Sequence, residues 1–79
     1  MHKPEMELVL FHTDGCHLCE VAEAQLKELS LPFVMKDICD DETLAELYGI
    51  RIPVLMNNSN SKELGWPFDV EDISKFLGA

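Results

Sequence analysis

Residues 8–19 read LVLFHTDGCHLC, an apolar run that passes through a short polar turn to two cysteines, Cys16 and Cys19. Apolar side chains at consecutive positions are typical of a strand covered by helices on both faces. After the turn, apolar residues recur at helical spacing. The stretch therefore predicts a central strand over residues 5–12 that leads into a helix over residues 16–29, with both cysteines at the start of that helix.

The remaining pattern completes an α/β domain. A strand over residues 33–38 forms a βαβ unit with the first two elements, and such units are right-handed with parallel strands. The later predicted elements are a helix over 41–48, strands over 52–56 and 62–64 that form an antiparallel hairpin, and a last helix with Asp69 as its N-cap. The order is βαβαββα, which predicts a central four-stranded mixed sheet with helices on both faces. We expect one domain over residues 1–79, with residues 1–4 as a loose tail.

Composition and charge narrow the classes of partner. The chain has 79 residues, enough for one domain, and its net charge of -9 opposes binding to nucleic acid and to anionic membrane surfaces. No stretch approaches the roughly 20 apolar residues that span a bilayer. We therefore expect a cytoplasmic protein that binds neither nucleic acid nor membranes.

The cysteines point to thiol chemistry. Three cysteines are too few for a disulfide framework, so a closely spaced pair favours catalysis or metal binding. A thiol at a helix N-terminus has its pKa lowered by the helix dipole, and the thiolate is the nucleophile. Cys16 is therefore expected to attack a disulfide and Cys19, one turn further on, to resolve the mixed disulfide. His17, if protonated, favours the Cys16 thiolate, and Asp14 and Glu20 oppose it.

Two other interpretations remain open from the residues. Cys16, Cys19 and Cys39, with His12 or His17, supply donor types that zinc uses, and a bridged dimer offers thiolates for an iron-sulfur cluster. The chain lacks a second Cys-x-x-Cys pair, so no metal or other cofactor is predicted. The other interpretation is an interaction module whose cysteines perform no chemistry.

Three stretches resemble the glutaredoxin-like proteins of the thioredoxin fold: CHLCE at 16–20, YGIRIPVL at 48–55 and GWPFD at 65–69. The likeness covers nearly the whole chain and is closest to a family of small, mostly bacterial glutaredoxin-like proteins of uncharacterised function. It implies a thiol-disulfide oxidoreductase that acts on protein or small-molecule disulfides. It also implies a thiol reductant, either glutathione or a thioredoxin system.

The resemblance also implies a substrate-binding role for Ile52, the residue before Pro53. It makes Pro53 a cis proline that packs beside the disulfide, whereas the low base rate of cis bonds before proline favours a trans residue that opens an edge strand. Ile52 then offers backbone hydrogen bonds to an extended substrate, and Arg51 is either a partner for a substrate carboxylate or an exposed loop residue. Trp66 is either an apolar lid over the dithiol or a residue that packs the last helix onto the sheet, and the second is the commoner fate.

The sequence departs from well-characterised glutaredoxins at two places. Asp14 stands where they carry a basic residue, two positions before the first cysteine. Bulky residues, beginning with Trp66, follow Gly65 where glutaredoxins have a second glycine. Both departures disfavour the binding of glutathione. Glutathione is still a candidate co-substrate. Cys39 follows the second strand and is expected to be a bystander, because four acidic residues lie close by in the sequence.

Overall fold

The computed structural model describes residues 7–78, so the tail predicted at residues 1–4 lies outside it. The strands are β1 (Leu8–His12), β2 (Phe33–Asp37), β3 (Val54–Asn57) and β4 (Lys62–Gly65). The helices are α1 (His17–Glu28), α2 (Glu42–Tyr48) and α3 (Val70–Gly78), with a single 3-10 turn (Ile38–Asp40) before α2. The predicted order βαβαββα is confirmed.

The four strands form one mixed sheet in the order β2-β1-β3-β4. β1 is parallel to β2 and antiparallel to β3, and β3 and β4 form the predicted antiparallel hairpin. β1 is therefore an inner strand, as its continuous apolar run predicts.

Alternate residues of β1 face two separate apolar cores. Leu8 and Leu10 pack with Leu26 of α1 and Ile73 of α3 on one face of the sheet. Val9 and Phe11 pack on the other face with Tyr48 of α2, whose ring stacks on that of Phe11 at 4.3 Å between centroids. Helices thus cover both faces, which confirms the predicted architecture. None of the helices within residues 7–78 is long and apolar enough to cross a membrane.

Several element boundaries differ from the prediction. β3 begins at Val54 rather than at residue 52, because Pro53 has no N–H to donate to a strand ladder. α1 begins at His17, and Cys16 is its N-cap in an extended conformation. The predicted cap of α3 is confirmed, since Asp69 accepts the Asp72 N–H at 3.0 Å and its own N–H donates to the Asp72 carboxylate at 3.1 Å.

The topology brings one end of each strand to the same edge of the sheet. β1 and β2 are parallel, β3 runs against them, and β4 runs against β3. The C-terminal ends of β1, β2 and β4 and the N-terminal end of β3 therefore lie at the same edge. The turn that carries Cys16 leaves from the end of β1, so this edge contains the dithiol.

Candidate functional site

Cys16 and Cys19 form a disulfide whose Cα atoms are 5.2 Å apart. Cys16 lies at the N-cap of α1 and is half-buried, whereas Cys19 is only 2% exposed. The Cys16 sulfur accepts the Cys19 N–H at 3.1 Å, one of the backbone donors that a helix leaves unpaired at its start. The sulfur of Cys16 is thus the more accessible one, and it lies in the positive field of the helix N-terminus.

The turn before Cys16 positions the disulfide at the sheet edge. Gly15 has a φ of +79°, a conformation that residues with a side chain rarely adopt. The next residue, Cys16, donates its N–H to the carbonyl of Thr13 at 3.4 Å. These features turn the chain from β1 into α1 within a few residues.

A cavity of about 270 Å³ opens beside the disulfide. Its wall consists of the turn at residues 12–15, both cysteines, Glu20, Glu23 and Met35. Glu23 and Met35 were not among the site residues predicted from the sequence. Glu23 follows Glu20 by three positions, and this spacing places both side chains on one side of α1. The sequence could therefore have predicted that Glu23 lies beside Glu20. Met35 comes from β2, and no local pattern connects that strand to the dithiol.

The two histidines near the dithiol occupy different surroundings. His12, at the end of β1, lines the cavity. The side chain of His17 is 83% exposed, and its Nδ1 lies 3.9 Å from the Glu20 carboxylate. Asp14, the other residue expected to tune the Cys16 thiol, is exposed and lines the cavity.

Cys39 is a free, exposed thiol at the same edge of the sheet. Its sulfur lies 3.3 Å from the Thr13 hydroxyl, and that hydroxyl donates to Asp37 at 3.1 Å. The Asp37 carboxylate also accepts the Cys39 N–H at 2.9 Å, and this backbone hydrogen bond is the main reason that the pKa of Asp37 lies below its usual value. Thr13 therefore contacts Cys39 through its side chain and Cys16 through its carbonyl.

The cis proline precedes β3 at this edge. The Ile52–Pro53 peptide bond is cis, and Pro53 is buried. Val54 pairs with Phe11, so Pro53 lies one position further, opposite the last residue of β1. Ile52 donates its N–H to the Tyr48 carbonyl at 3.1 Å. Because the Ile52 N–H is already hydrogen-bonded within the loop, only the carbonyl oxygen of Ile52 is expected to bind a substrate.

Arg51 makes a surface ion pair within the chain. Its guanidinium lies 2.9 Å from the Glu63 carboxylate and 5.1 Å from the centre of the Tyr48 ring. The Tyr48 hydroxyl donates to the same carboxylate. That hydrogen bond, with a further contribution from Arg51, holds the pKa of Glu63 below its usual value, while burial and the Glu63 carboxylate raise the pKa of Tyr48.

Trp66 is half-buried and packs against the core between the sheet, α1 and α3. Its ring and that of Phe68 have centroids 5.0 Å apart and lie at 74° to each other. The Phe68 carbonyl accepts a hydrogen bond from the Gln25 side chain of α1 at 3.2 Å. Trp66 lies outside the wall of the cavity, as do Arg51, Ile52 and Pro53. The Trp66–Pro67 bond is also cis, which no pattern in the sequence predicts.

Metal donors do not converge in the described part of the chain. Among residues 7–78, no three histidine, cysteine or carboxylate side chains form a group that could hold a metal ion. The set considered from the sequence, which combined Cys39 with the dithiol and a histidine, is not assembled in this structure.

The protein has the thioredoxin fold, a four-stranded mixed sheet with helices on both faces. The Cys-x-x-Cys disulfide at the start of α1 indicates a redox-type protein of this fold. Residues 7–78 match the Glutaredoxin-like domain family (DUF836), and the chain belongs to that family. The resemblance inferred from the sequence is thereby confirmed. No curated protein matches the chain.

Solved structures agree with this assignment. XcR50 from X. campestris is 38% identical, with a TM-score of 0.83 over 89% of this chain and 93% of that one. Ne2328 from Nitrosomonas europaea is 31% identical, with a TM-score of 0.81 over 99% of this chain and 98% of that one. A mutant thioredoxin from Halobacterium salinarum is 21% identical, with a TM-score of 0.72 over 92% of this chain and 72% of that one. This last likeness shows the fold alone.

Proposed function

We propose that the protein is a thiol-disulfide oxidoreductase in which Cys16 is the nucleophile and Cys19 the resolving thiol. The observation that carries the proposal is the asymmetry of the pair. Cys16 caps α1, is half-buried and accepts a helix N–H, whereas Cys19 is 2% exposed. Once the pair is reduced, the same N–H favours a thiolate at Cys16, and the thiolate is the attacking species.

The reaction runs in two exchange steps. In the first, the Cys16 thiolate attacks one sulfur of a substrate disulfide, forms a mixed disulfide with it and expels the other sulfur as a thiolate. In the second, the Cys19 thiolate attacks the Cys16 sulfur, closes the Cys16–Cys19 disulfide and expels the first sulfur. Two electrons pass from the dithiol to the substrate, which leaves as two thiols. A separate thiol reductant then returns the enzyme disulfide to the dithiol.

The loop before β3 is proposed to receive the substrate chain. Pro53 lies opposite the end of β1, from which the turn to Cys16 departs. The carbonyl of Ile52 is the proposed backbone partner for an extended substrate. Arg51 would reach a substrate carboxylate only by leaving Glu63, and Trp66 is proposed to pack against the core rather than to form a lid.

The proposed partners follow from this chemistry. They are a protein or small-molecule disulfide and a thiol reductant, either glutathione or a thioredoxin system. The exposed Asp14 beside Cys16 disfavours the carboxylates of glutathione. The reaction needs no bound cofactor, and a cytoplasmic location, where thiols are kept reduced, suits it.

A redox titration tests the proposal. The Cys39→Ser protein is equilibrated in thiol-disulfide buffers of defined potential, alkylated and measured by intact mass, so that only the Cys16–Cys19 pair contributes. We expect one reversible two-electron transition between about -180 and -270 mV, the range that spans protein disulfide isomerase, glutaredoxins and thioredoxin. A pair that never oxidises, or that reductants of this range never open, would refute the proposed function.

A further inference from the structure

The carboxylates beside the dithiol indicate which disulfides the proposed enzyme takes. The cavity of about 270 Å³ is lined by both cysteines and by Asp14, Glu20 and Glu23. Among residues 7–78 no lysine or arginine lines it, and its wall includes one histidine, His12. A group that sits in this cavity while its sulfur meets Cys16 therefore lies next to acidic side chains.

The neighbours of these carboxylates leave the cavity negative. Glu23 pairs with Lys27 at 3.3 Å, and Glu20 faces His17 at 3.9 Å. Both partners are largely exposed and neither lines the cavity, so solvent screens the two pairs. Within residues 7–78, Asp14 forms no ion pair, and the net charge of -9 adds a field of the same sign over the whole surface.

We infer that this cavity selects disulfides that carry a cationic group, an amine or a guanidinium, within a few bonds of the sulfur attacked by Cys16. The inference rests on the proposed function and names its substrate class. The volume suits an aminoethyl group or the end of a lysine or arginine side chain. The exchange step is unchanged: the Cys16 thiolate joins one sulfur of the substrate and the other leaves as a thiolate. The cavity contributes by raising the local concentration of the cationic disulfide and by disfavouring anionic ones.

Three small disulfides of similar size test the inference on the reduced full chain. Cystamine is dicationic, bis(2-hydroxyethyl) disulfide is neutral and dithiodiglycolate is dianionic. Each rate of protein oxidation is divided by the rate of the same disulfide with dithiothreitol, which removes differences in intrinsic reactivity. We expect the corrected rates to fall in the order cationic, neutral, anionic, by about fivefold per step at low salt, and to converge at about 0.5 M salt.

Paired variants separate the cavity from the general charge of the protein. Glu20→Gln/Glu23→Gln removes two carboxylates from the cavity wall, and Glu46→Gln/Glu71→Gln removes two exposed ones from α2 and α3. We expect the first pair to lower the cationic-to-anionic ratio about fivefold or more and the second to change it less than twofold. A change in Cys16 reactivity alone shifts all three disulfides alike and leaves the ratio intact.

The outcomes distinguish this inference from the function on which it rests. The inference fails alone if the neutral disulfide oxidises the dithiol but the three corrected rates are equal. It also fails alone if both double variants lower the cationic-to-anionic ratio alike, because the cavity then does not select cationic disulfides. If the neutral disulfide leaves the dithiol reduced, the proposed function fails and the inference fails with it. Peptide disulfides flanked by lysine or by glutamate extend the test to side chains: a faster lysine peptide supports the inference, and equal rates overturn it for lysine and arginine side chains.

Discussion

The guanidinium of Arg51 lies 2.9 Å from the carboxylate of Glu63, which connects the loop before β3 to the second residue of β4. Glu63 also accepts the hydroxyl hydrogen bond of Tyr48, the last residue of α2. The carboxylate thus links both ends of the segment between α2 and the cis proline. The guanidinium of Arg51 holds this loop through its ion pair with Glu63. It can therefore bind a substrate only after that ion pair breaks.

Removal of the Tyr48 hydroxyl tests the strength of this link. Tyr48→Phe keeps the ring stacked on Phe11 but loses the hydrogen bond to Glu63, so we expect the free energy of unfolding to fall by about 1 kcal/mol. Arg51→Gln, which removes an exposed ion pair, is expected to lower it by less. Urea unfolding at neutral pH measures both, and a larger loss in Arg51→Gln would contradict this ranking.

Glu63 gives part of the stability a defined pH dependence. Its pKa is lowered in the folded state, mainly by the Tyr48 hydrogen bond, so at pH values between the folded and unfolded pKa the unfolded chain binds more protons. The stabilisation is complete above the ordinary glutamate pKa, about 4.3, and is lost as the pH falls through the lower folded pKa. We expect Glu63→Gln to flatten the decline of stability below about pH 4.5. Unfolding midpoints from pH 3 to 7 check this, and an equal effect of Glu46→Gln would contradict it.

The reciprocal cap at the start of α3 is expected to be measurable. Asp69→Ala leaves the Asp72 N–H without its acceptor, and loss of such a cap lowers the free energy of unfolding by about 1 kcal/mol. Ser74→Ala, at an exposed position within the same helix, is the control and is expected to change stability by less than about 0.5 kcal/mol. Equal urea midpoints for the two variants would show that the cap contributes nothing.

Alkylation of the folded protein should distinguish the three thiols. The oxidised protein is expected to take one label, at Cys39, because Cys16 and Cys19 form the disulfide. After reduction we expect Cys16 to be labelled faster than Cys19, which is 2% exposed. Intact mass and peptide mapping provide the measurement, and the oxidised Cys39→Ser protein should take no label. Faster labelling of Cys19 would contradict the proposed roles.

Single replacements of the cysteines should separate attack from resolution. In Cys19→Ser the first exchange step proceeds and the second is blocked, so the mixed disulfide at Cys16 is expected to accumulate. In Cys16→Ser we expect its formation to slow by at least about tenfold, because the buried Cys19 must then attack. Mass spectrometry after reaction with a small disulfide measures both. A Cys16→Ser protein that forms the mixed disulfide at the wild-type rate would reverse the assignment.

Short-range patterns were sufficient for much of this molecule. The apolar run of β1, the turn after it and the cysteines at the start of α1 lie within a dozen residues of one another, and their local preferences agree. Asp69 could be predicted as a cap because a capping side chain bonds to backbone only three residues away. The pattern of apolar residues places the start of β3 two residues too early, because it does not register that Pro53 lacks an N–H donor.

Local sequence patterns therefore suffice for the order of the elements, the fold class and the dithiol at a helix start. The tertiary structure decided which residues surround that dithiol. It brought Met35 of β2 into the cavity wall and paired Arg51 with Glu63, 12 residues away. It also brought Cys39 to Thr13 across 26 residues. The physical reason is that secondary structure follows from local side-chain spacing, whereas these contacts depend on strand order and register, which only the assembled sheet and its two cores select.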